Sequence, residues 1–359
     1  MNSDTSALRK SGLISPATVV NVRPFSEDDA PKWDAFVAEC PGATFFHRTG
    51  WKRVIEEVFG HATHYLVAEA DGAIEGVIAL GHIRSRLFGN ALISCPFAVY
   101  GGAAAVTDRA RRGLEEAALD LAKNLGVDYL ELRNRHPSSA AGATKDLYVT
   151  FRKALSPDHE ENMRAIPRKQ RAMVRKGLKS DLVATIDDGV DRLFRAYSTS
   201  VRNLGTPVFA KRYFRVLKDV FGDDCEILTV TKDGRTVSSV MSFYFRDEVL
   251  PYYGGGTEEA RKWKANDLMY WEVMRRAVER GVRTFDYGRS KVGTGSYSFK
   301  KNWGFEPEPL PYHYQLVKAR EVPNVSPLNP KYQLFIKAWK HLPLWAANTV
   351  GPWLSRNLG

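Results

Sequence analysis

Apolar and polar positions alternate most clearly in two places far apart in the chain, and each alternation breaks at an Asp-Gly pair. Residues 64–70 and 74–80 flank Asp71-Gly72, and residues 226–231 and 236–245 flank Asp233-Gly234. Both turn positions of a two-residue hairpin need positive φ, which Asp-Gly tolerates, so each stretch predicts a β-hairpin. A further strand is predicted after each, over 92–100 before Gly101-Gly102 and over 249–253 before Gly254-Gly255-Gly256. Helical spacing follows, with Leu114, Ala117, Ala118, Leu121 and Leu125 in one case and Leu268, Met269, Trp271, Val273, Met274, Ala277 and Val278 in the other. Gly126 and Gly281 stand where a left-handed helix cap suits glycine, and short strands are predicted over 127–132 and 282–287. The same order of elements occurring twice predicts a duplicated α/β unit. The expected organisation is a flexible N-terminus over 1–20, a first domain over 21–155, a second over 156–320 and a basic amphipathic helical tail over 321–359.

Length agrees with two domains: the chain has 359 residues, against about 150 per domain. The longest apolar stretches, 91–99 and 342–350, are interrupted by Pro96 and Pro343 and fall short of the ~18 residues that span a bilayer. Lys10 and Ser11 stand where an apolar secretory core would lie, so a cytoplasmic location is expected. Cys40, Cys95 and Cys225 are scattered and form no CxxC pair, which predicts buried small hydrophobes instead of a disulfide framework. The net charge of +11 favours anionic partners. One concentration of it is Arg164, Arg168, Lys169, Arg171, Arg175, Lys176 and Lys179, in a segment that reads as helix after Pro167. Another is the tail, where no acidic residue follows Glu321.

Hairpin, strand, glycine loop, helix, strand is also the element order of a GNAT acyltransferase core, which the chain resembles. Longer motifs narrow the resemblance. Residues 285–307 (FDYGRSKVGTGSYSFKKNWGFEP), Tyr253-Gly-Gly-Gly, Ser200-Val-Arg-Asn-Leu-Gly-Thr-Pro-Val-Phe and Phe45-Phe-His-Arg-Thr-Gly-Trp are similar to FemAB-related proteins of exosortase/PEP-CTERM systems, from about Val22 to the C-terminus. That resemblance implies an α/β fold with mixed sheets, built as two tandem GNAT-like N-acyltransferase domains with a C-terminal amphipathic helical tail. It also implies acyl or aminoacyl transfer in extracellular polysaccharide or cell-envelope biosynthesis. Characterised Fem ligases move an amino acid from aminoacyl-tRNA onto a cell-wall peptide amine. This chain lacks their long charged coiled-coil insertion, so aminoacyl-tRNA, acyl-CoA and acyl carrier protein all stay open as donors. The expected acceptor is an amine-bearing envelope, lipid or polysaccharide precursor. A noncatalytic scaffold of degenerate GNAT halves is the competing class.

Acyl transfer to an amine needs an activated donor, a neutral amine and donors for the oxyanion, but no covalent nucleophile. The chain accordingly shows no Cys-His pair and no Gly-x-Ser-x-Gly elbow. Gly254, Gly255 and Gly256 can bring backbone N–H groups close to a phosphate, or can simply form a tight turn. Arg289, Ser290 and Lys291 with Gly293 and Gly295 follow a predicted strand, where α/β sheets commonly bind ligands. They nearly meet the simpler GNAT signature for acetyl-CoA, but the first glycine lies one residue too far. Lys300 and Lys301 can add charge stabilisation, one of them being an ordinary exposed lysine. Asp286 is the candidate proton acceptor, with loop anchoring as the alternative. Tyr253 and Tyr297 can orient substrate or donate to an oxyanion. His47 is expected to line the cleft between the halves, whereas His61 and His64 have no evident third metal ligand. In the first half, residues 133–139 lack the glycines, which predicts an acceptor-binding or structural partner. The tail, with Lys337, Lys340 and Arg356 beside Trp and Leu, suits either an anionic membrane surface or packing onto the domains.

Overall fold

The computed structural model describes residues 19–85, 89–136, 142–145, 147–322 and 330–359, so nearly all of the expected flexible N-terminus lies outside it. In chain order the strands begin β1 (Asn21–Pro24), β2 (Ala62–Ala70), β3 (Ala73–Ser85), β4 (Gly89–Ser94), β5 (Ala103–Ala105), β6 (Tyr129–Leu132), β7 (Ala143–Lys145) and β8 (Tyr148–Ala154). They continue β9 (Leu182–Asp187), β10 (Cys225–Lys232), β11 (Arg235–Phe245), β12 (Glu248–Gly256), β13 (Thr284–Asp286), β14 (Ser290–Lys291), β15 (Pro307–Pro309) and β16 (Tyr312–Leu316).

Both predicted hairpins form. Asp71 and Gly72 turn β2 into β3 with φ of 51° and 78°, and Asp233 and Gly234 turn β10 into β11 with φ of 49° and 73°. Each hairpin leads to a strand (β4, β12), then a crossover helix (Asp108–Leu125, Ala265–Glu279), then a strand that pairs in parallel (β6, β13). The helix Asp108–Leu125 ends as expected on Gly126 in the left-handed region, and its buried Leu114, Ala118 and Ala122 cover the sheet.

The result is two mixed sheets, ordered β1-β2-β3-β4-β6-β16-β7 with β5 on β3, and β14-β8-β13-β12-β11-β10-β9 with β15 on β8. A division near Ser156 does not separate them. β8 precedes that point yet pairs with β13 in the second sheet, and β16 follows the second unit yet pairs with β6 in the first. Each half therefore lends the other a strand, an arrangement that local periodicity cannot reveal because pairing partners are chosen across the fold.

Two further expectations change. The strand foreseen over 92–100 stops at Ser94, because Pro96 has no N–H to donate and Cys95 and Phe97 adopt φ of 42° and 66°. The Phe45-Phe46-His47 stretch, expected to bring His47 to a cleft between the halves, is instead a closed aromatic seam with His47 fully buried: Phe45 stacks on Phe243 at 4.4 Å and tilts against Phe221 at 4.4 Å. The basic helix Arg168–Leu178 starts after Pro167 as read, and the tail forms helices Pro330–Lys340 and Leu344–Ser355 on either side of Pro343.

Candidate active site

β12 and β13 run parallel but pair only through Glu248 with Thr284 and Val249 with Phe285. Beyond Val249 they diverge. A bulge in the β11–β12 register between Met241 and Ser242 adds to the bend, leaving Tyr252 as the extra residue. A cavity of about 450 Å³ opens beside this splay, lined by Pro251 to Gly254 on one side and by Gly288, Arg289 and Lys300 on the other. Aromatic rings of Tyr197, Phe209, Tyr270, Tyr287 and Phe299 fill its walls, and Arg133 reaches it from the first half. Three basic side chains line it and, among the described residues, no Asp or Glu side chain does.

The loop after β13 is clamped from both sides. Asp286, fully buried, accepts from Gly288 N at 2.6 Å and Tyr100 Oη at 2.7 Å, and Arg152 Nε lies 3.2 Å from Oδ2. Lys300 Nζ donates to Gly288 O at 2.9 Å and Arg289 O at 3.0 Å. Asp286 therefore anchors the loop, as its alternative reading had it, and does not line the cavity. Its carboxylate also helps burial push Glu248 above the usual carboxylate range. Lys300 is 8% exposed, and burial, with Arg289 nearby, pushes it down to about 7.

Arg289 is placed by the exchanged strands. Its guanidinium lies 4.6 Å over the ring of Tyr148 from β8, and Nη1 donates to Tyr312 Oη from β16 at 3.0 Å. Tyr312 in turn donates to Val99 O at 2.5 Å. Arg133 is held by Glu131 Oε1, Ala98 O and Gly359 O, each at 2.7 Å.

Of the residues expected at the site, the cavity gathers Tyr253, Gly254, Arg289 and Lys300. The others fall elsewhere for identifiable reasons. Gly254, Gly255 and Gly256 form no loop; they are the last residues of β12 and pair with Val240, Ser239 and Ser238. A Cβ on Gly255 would lie 2.5 Å from Ser200 Cβ, and one on Gly256 2.6 Å from Asn266 Oδ1, so these two glycines serve close helix packing. Tyr253 contributes its ring while its hydroxyl pairs with Tyr213 Oη at 2.7 Å. Lys301 points away, its Nζ over Tyr297, whose ring packs on Phe151. Ser290 and Lys291 form β14 against β8, and burial followed by Arg289 and Lys145 pushes Lys291 down to about 8. Gly293 takes φ of 79° in the turn that follows, and Gly295 opens the helix Gly295–Asn302. His47 is buried in the seam between Thr44 and Gly102 O, and burial pushes it down to about 4.

Sequence reasoning missed Arg133 as a lining residue and missed Tyr148 and Tyr312 altogether. One signal could have separated the two lysines. Ser296, Phe299 and Lys300 fall at i, i+3 and i+4, one helical face, and all three line the cavity. Among the described residues, no group of three or more His, Cys, Asp or Glu is placed to hold a metal ion.

Residues 161–301 match the acetyltransferase (GNAT) domain family. No curated protein matches the sequence. Among solved structures, FemX superposes with a TM-score of 0.64 at 16% identity, covering 88% of this chain and all (100%) of FemX. A C-terminal domain described as that of a lysylphosphatidylglycerol synthetase from Agrobacterium fabrum gives 0.56 at 13% identity, over 81% and 91% of the two chains. A tandem GNAT protein from the clavulanic acid biosynthesis pathway gives 0.53 at 15% identity, over 85% and 100%. The chain is thus a mixed α/β protein with a GNAT-like acetyltransferase domain in its second half and the overall fold of FemX and a tandem GNAT protein.

Proposed function

We propose that the protein is a FemAB-type N-acyltransferase, passing an acyl or aminoacyl group to an amine in cell-envelope or extracellular polysaccharide biosynthesis. The observation that carries this reading is the cavity at the β12–β13 splay, cationic through Arg133 and Arg289, with Lys300 beside them and, among the described residues, no Asp or Glu side chain in its lining. Such a lining suits the phosphate and ester groups of an activated donor, whether aminoacyl-tRNA, acyl-CoA or acyl carrier protein. It also lowers the pKa of an amine brought beside it, favouring the neutral, nucleophilic form.

In this mechanism the amine nitrogen attacks the acyl carbonyl, forming the C–N bond while the carbonyl electrons move onto oxygen. Arg289 supplies positive potential to that oxyanion. The nitrogen's surplus proton passes to neutral Lys300 Nζ, whose two N–H groups stay on Gly288 O and Arg289 O. Collapse of the intermediate then expels the donor's leaving group. Lys300 suits this step because its pKa of about 7 lies near the working pH.

The test combines mass spectrometry of copurified ligand with a screen of the three donor classes against amine acceptors. Once a donor is found, kcat/KM should rise with pH through about 7 as Lys300 loses its proton. Arg289→Ala should lower kcat/KM by about ten-fold or more, with partial recovery in Arg289→Lys. Full activity in folded Arg289→Ala and Lys300→Met proteins would refute the assignment.

A further inference from the structure

The tail has two faces with opposite fates. Inward, Trp339, Ala347, Gly351 and Ser355 are buried. Arg202 donates to Lys340 O at 3.3 Å and Ser355 Oγ to Val208 O at 3.0 Å. Both tail helices therefore lie on the helix Asp191–Leu204 and the segment after it, and their outer faces point away from the same support. Outward, Leu334 is 77% exposed, Trp345 75% and Trp353 59%. Trp345, Thr349 and Trp353 recur every four residues along one side of the helix Leu344–Ser355. Leu204 is exposed at the end of the supporting helix, and the next residue, Gly205, packs on Ile336 of the first tail helix.

Large apolar side chains left in water need a partner. Charge says which kind. From Pro330 onward the chain carries Lys331, Lys337, Lys340 and Arg356 and no Asp or Glu. Indole rings favour the headgroup depth of a bilayer, where an apolar ring and a polar N–H are both accommodated, and basic residues beside them favour anionic lipid.

We propose that the outer face of the tail is a docking surface for an anionic lipid bilayer, with Trp345, Trp353 and Leu334 entering the headgroup region and Lys337 and Lys340 meeting lipid phosphate. Leu358 and Gly359, just past the last helix, line the cavity. Docking therefore holds the cavity beside the lipid surface. The acceptor it presents is accordingly an amphiphile with an amine in its headgroup; this last step rests on the acyl-transfer reading, whereas the docking itself does not.

Cosedimentation of the full chain with vesicles tests the docking without any enzymatic assay. Binding to phosphatidylglycerol–phosphatidylcholine vesicles should exceed binding to pure phosphatidylcholine by about ten-fold or more, and should weaken as salt is raised. Trp345→Ser/Trp353→Ser should lose about ten-fold or more, and Lys337→Glu/Lys340→Glu should lose the preference for anionic lipid. These side chains are exposed, so unchanged thermal unfolding confirms that each variant is folded. Absence of binding to anionic vesicles, or equal binding by the tryptophan variant, overturns the proposal. So does sedimentation velocity showing a dimer that the tryptophan variant dissolves in a protein that does not bind vesicles, because the face would then be covered by a second copy.

Discussion

Replacing Lys300 by methionine keeps the length of the side-chain stem and removes its charge, so it reads directly how the cavity treats that charge. Lys300 is 8% exposed and lies near Arg289, and the two carbonyl partners of its ammonium do not replace the lost water. Burial first, then Arg289, pushes it from 10.5 down to about 7, the nearby Asp286 carboxylate offsetting only part of this. Between those two values the unfolded chain holds a proton that the folded protein has released. Unfolding therefore takes up a proton, and stability rises with pH across that window. One proton corresponds to about 1.4 kcal/mol per pH unit. Wild type should gain about 3 kcal/mol relative to Lys300→Met between about pH 7.5 and about pH 9.5. Urea unfolding of both proteins at the two pH values gives this difference, and groups common to both, Lys291 among them, cancel. Parallel pH dependence would mean that Lys300 keeps an ordinary lysine pKa in the folded protein. The proton-transfer role would then fall with it.

Three other perturbations separate anchors from chemistry. Asp286→Ala should cost about 3 kcal/mol in urea unfolding, because the buried Tyr100 hydroxyl loses its carboxylate acceptor and the Gly288 turn loses its clamp; an activity loss without a stability loss would return Asp286 to the reaction. Wild-type stability should fall by about 3 kcal/mol as pH drops from 6.5 to about 4, since His47 takes its proton in the unfolded chain but not in the seam. His47→Gln should flatten that part of the acid-unfolding profile. Gly255→Ala should destabilise by about 1–3 kcal/mol, read as a lower thermal midpoint, because its Cβ meets Ser200 Cβ at 2.5 Å and Ala196 O at 2.9 Å.

The repeated unit was legible in the sequence because its signals are local. Asp71-Gly72 and Asp233-Gly234 accept positive φ wherever they occur, and the spacing of Leu114, Ala118 and Ala122 commits one helix face to burial before any partner is known. The basic run ahead of Lys179 and the acid-free tail were equally plain, since charge needs no fold to be counted. What each local signal was for depended on distant contacts. The triple glycine pointed to a loop, yet β12 continues through it and two of its members yield to packing helices. Asp286 and Lys300 are both polar and both candidates in one dimension. The fold buries one among donors that bind its charge and sets the other at a cavity wall that lowers it. Arg289 owes its position to Tyr148 and Tyr312, on strands exchanged between the two sheets. The sequence by itself determined the elements, their repetition and the charge of the chain. Only the tertiary structure decided which strands pair, which lysine faces inward and which tryptophans stay in water, because those outcomes follow from burial and partner geometry shared among residues far apart in the chain.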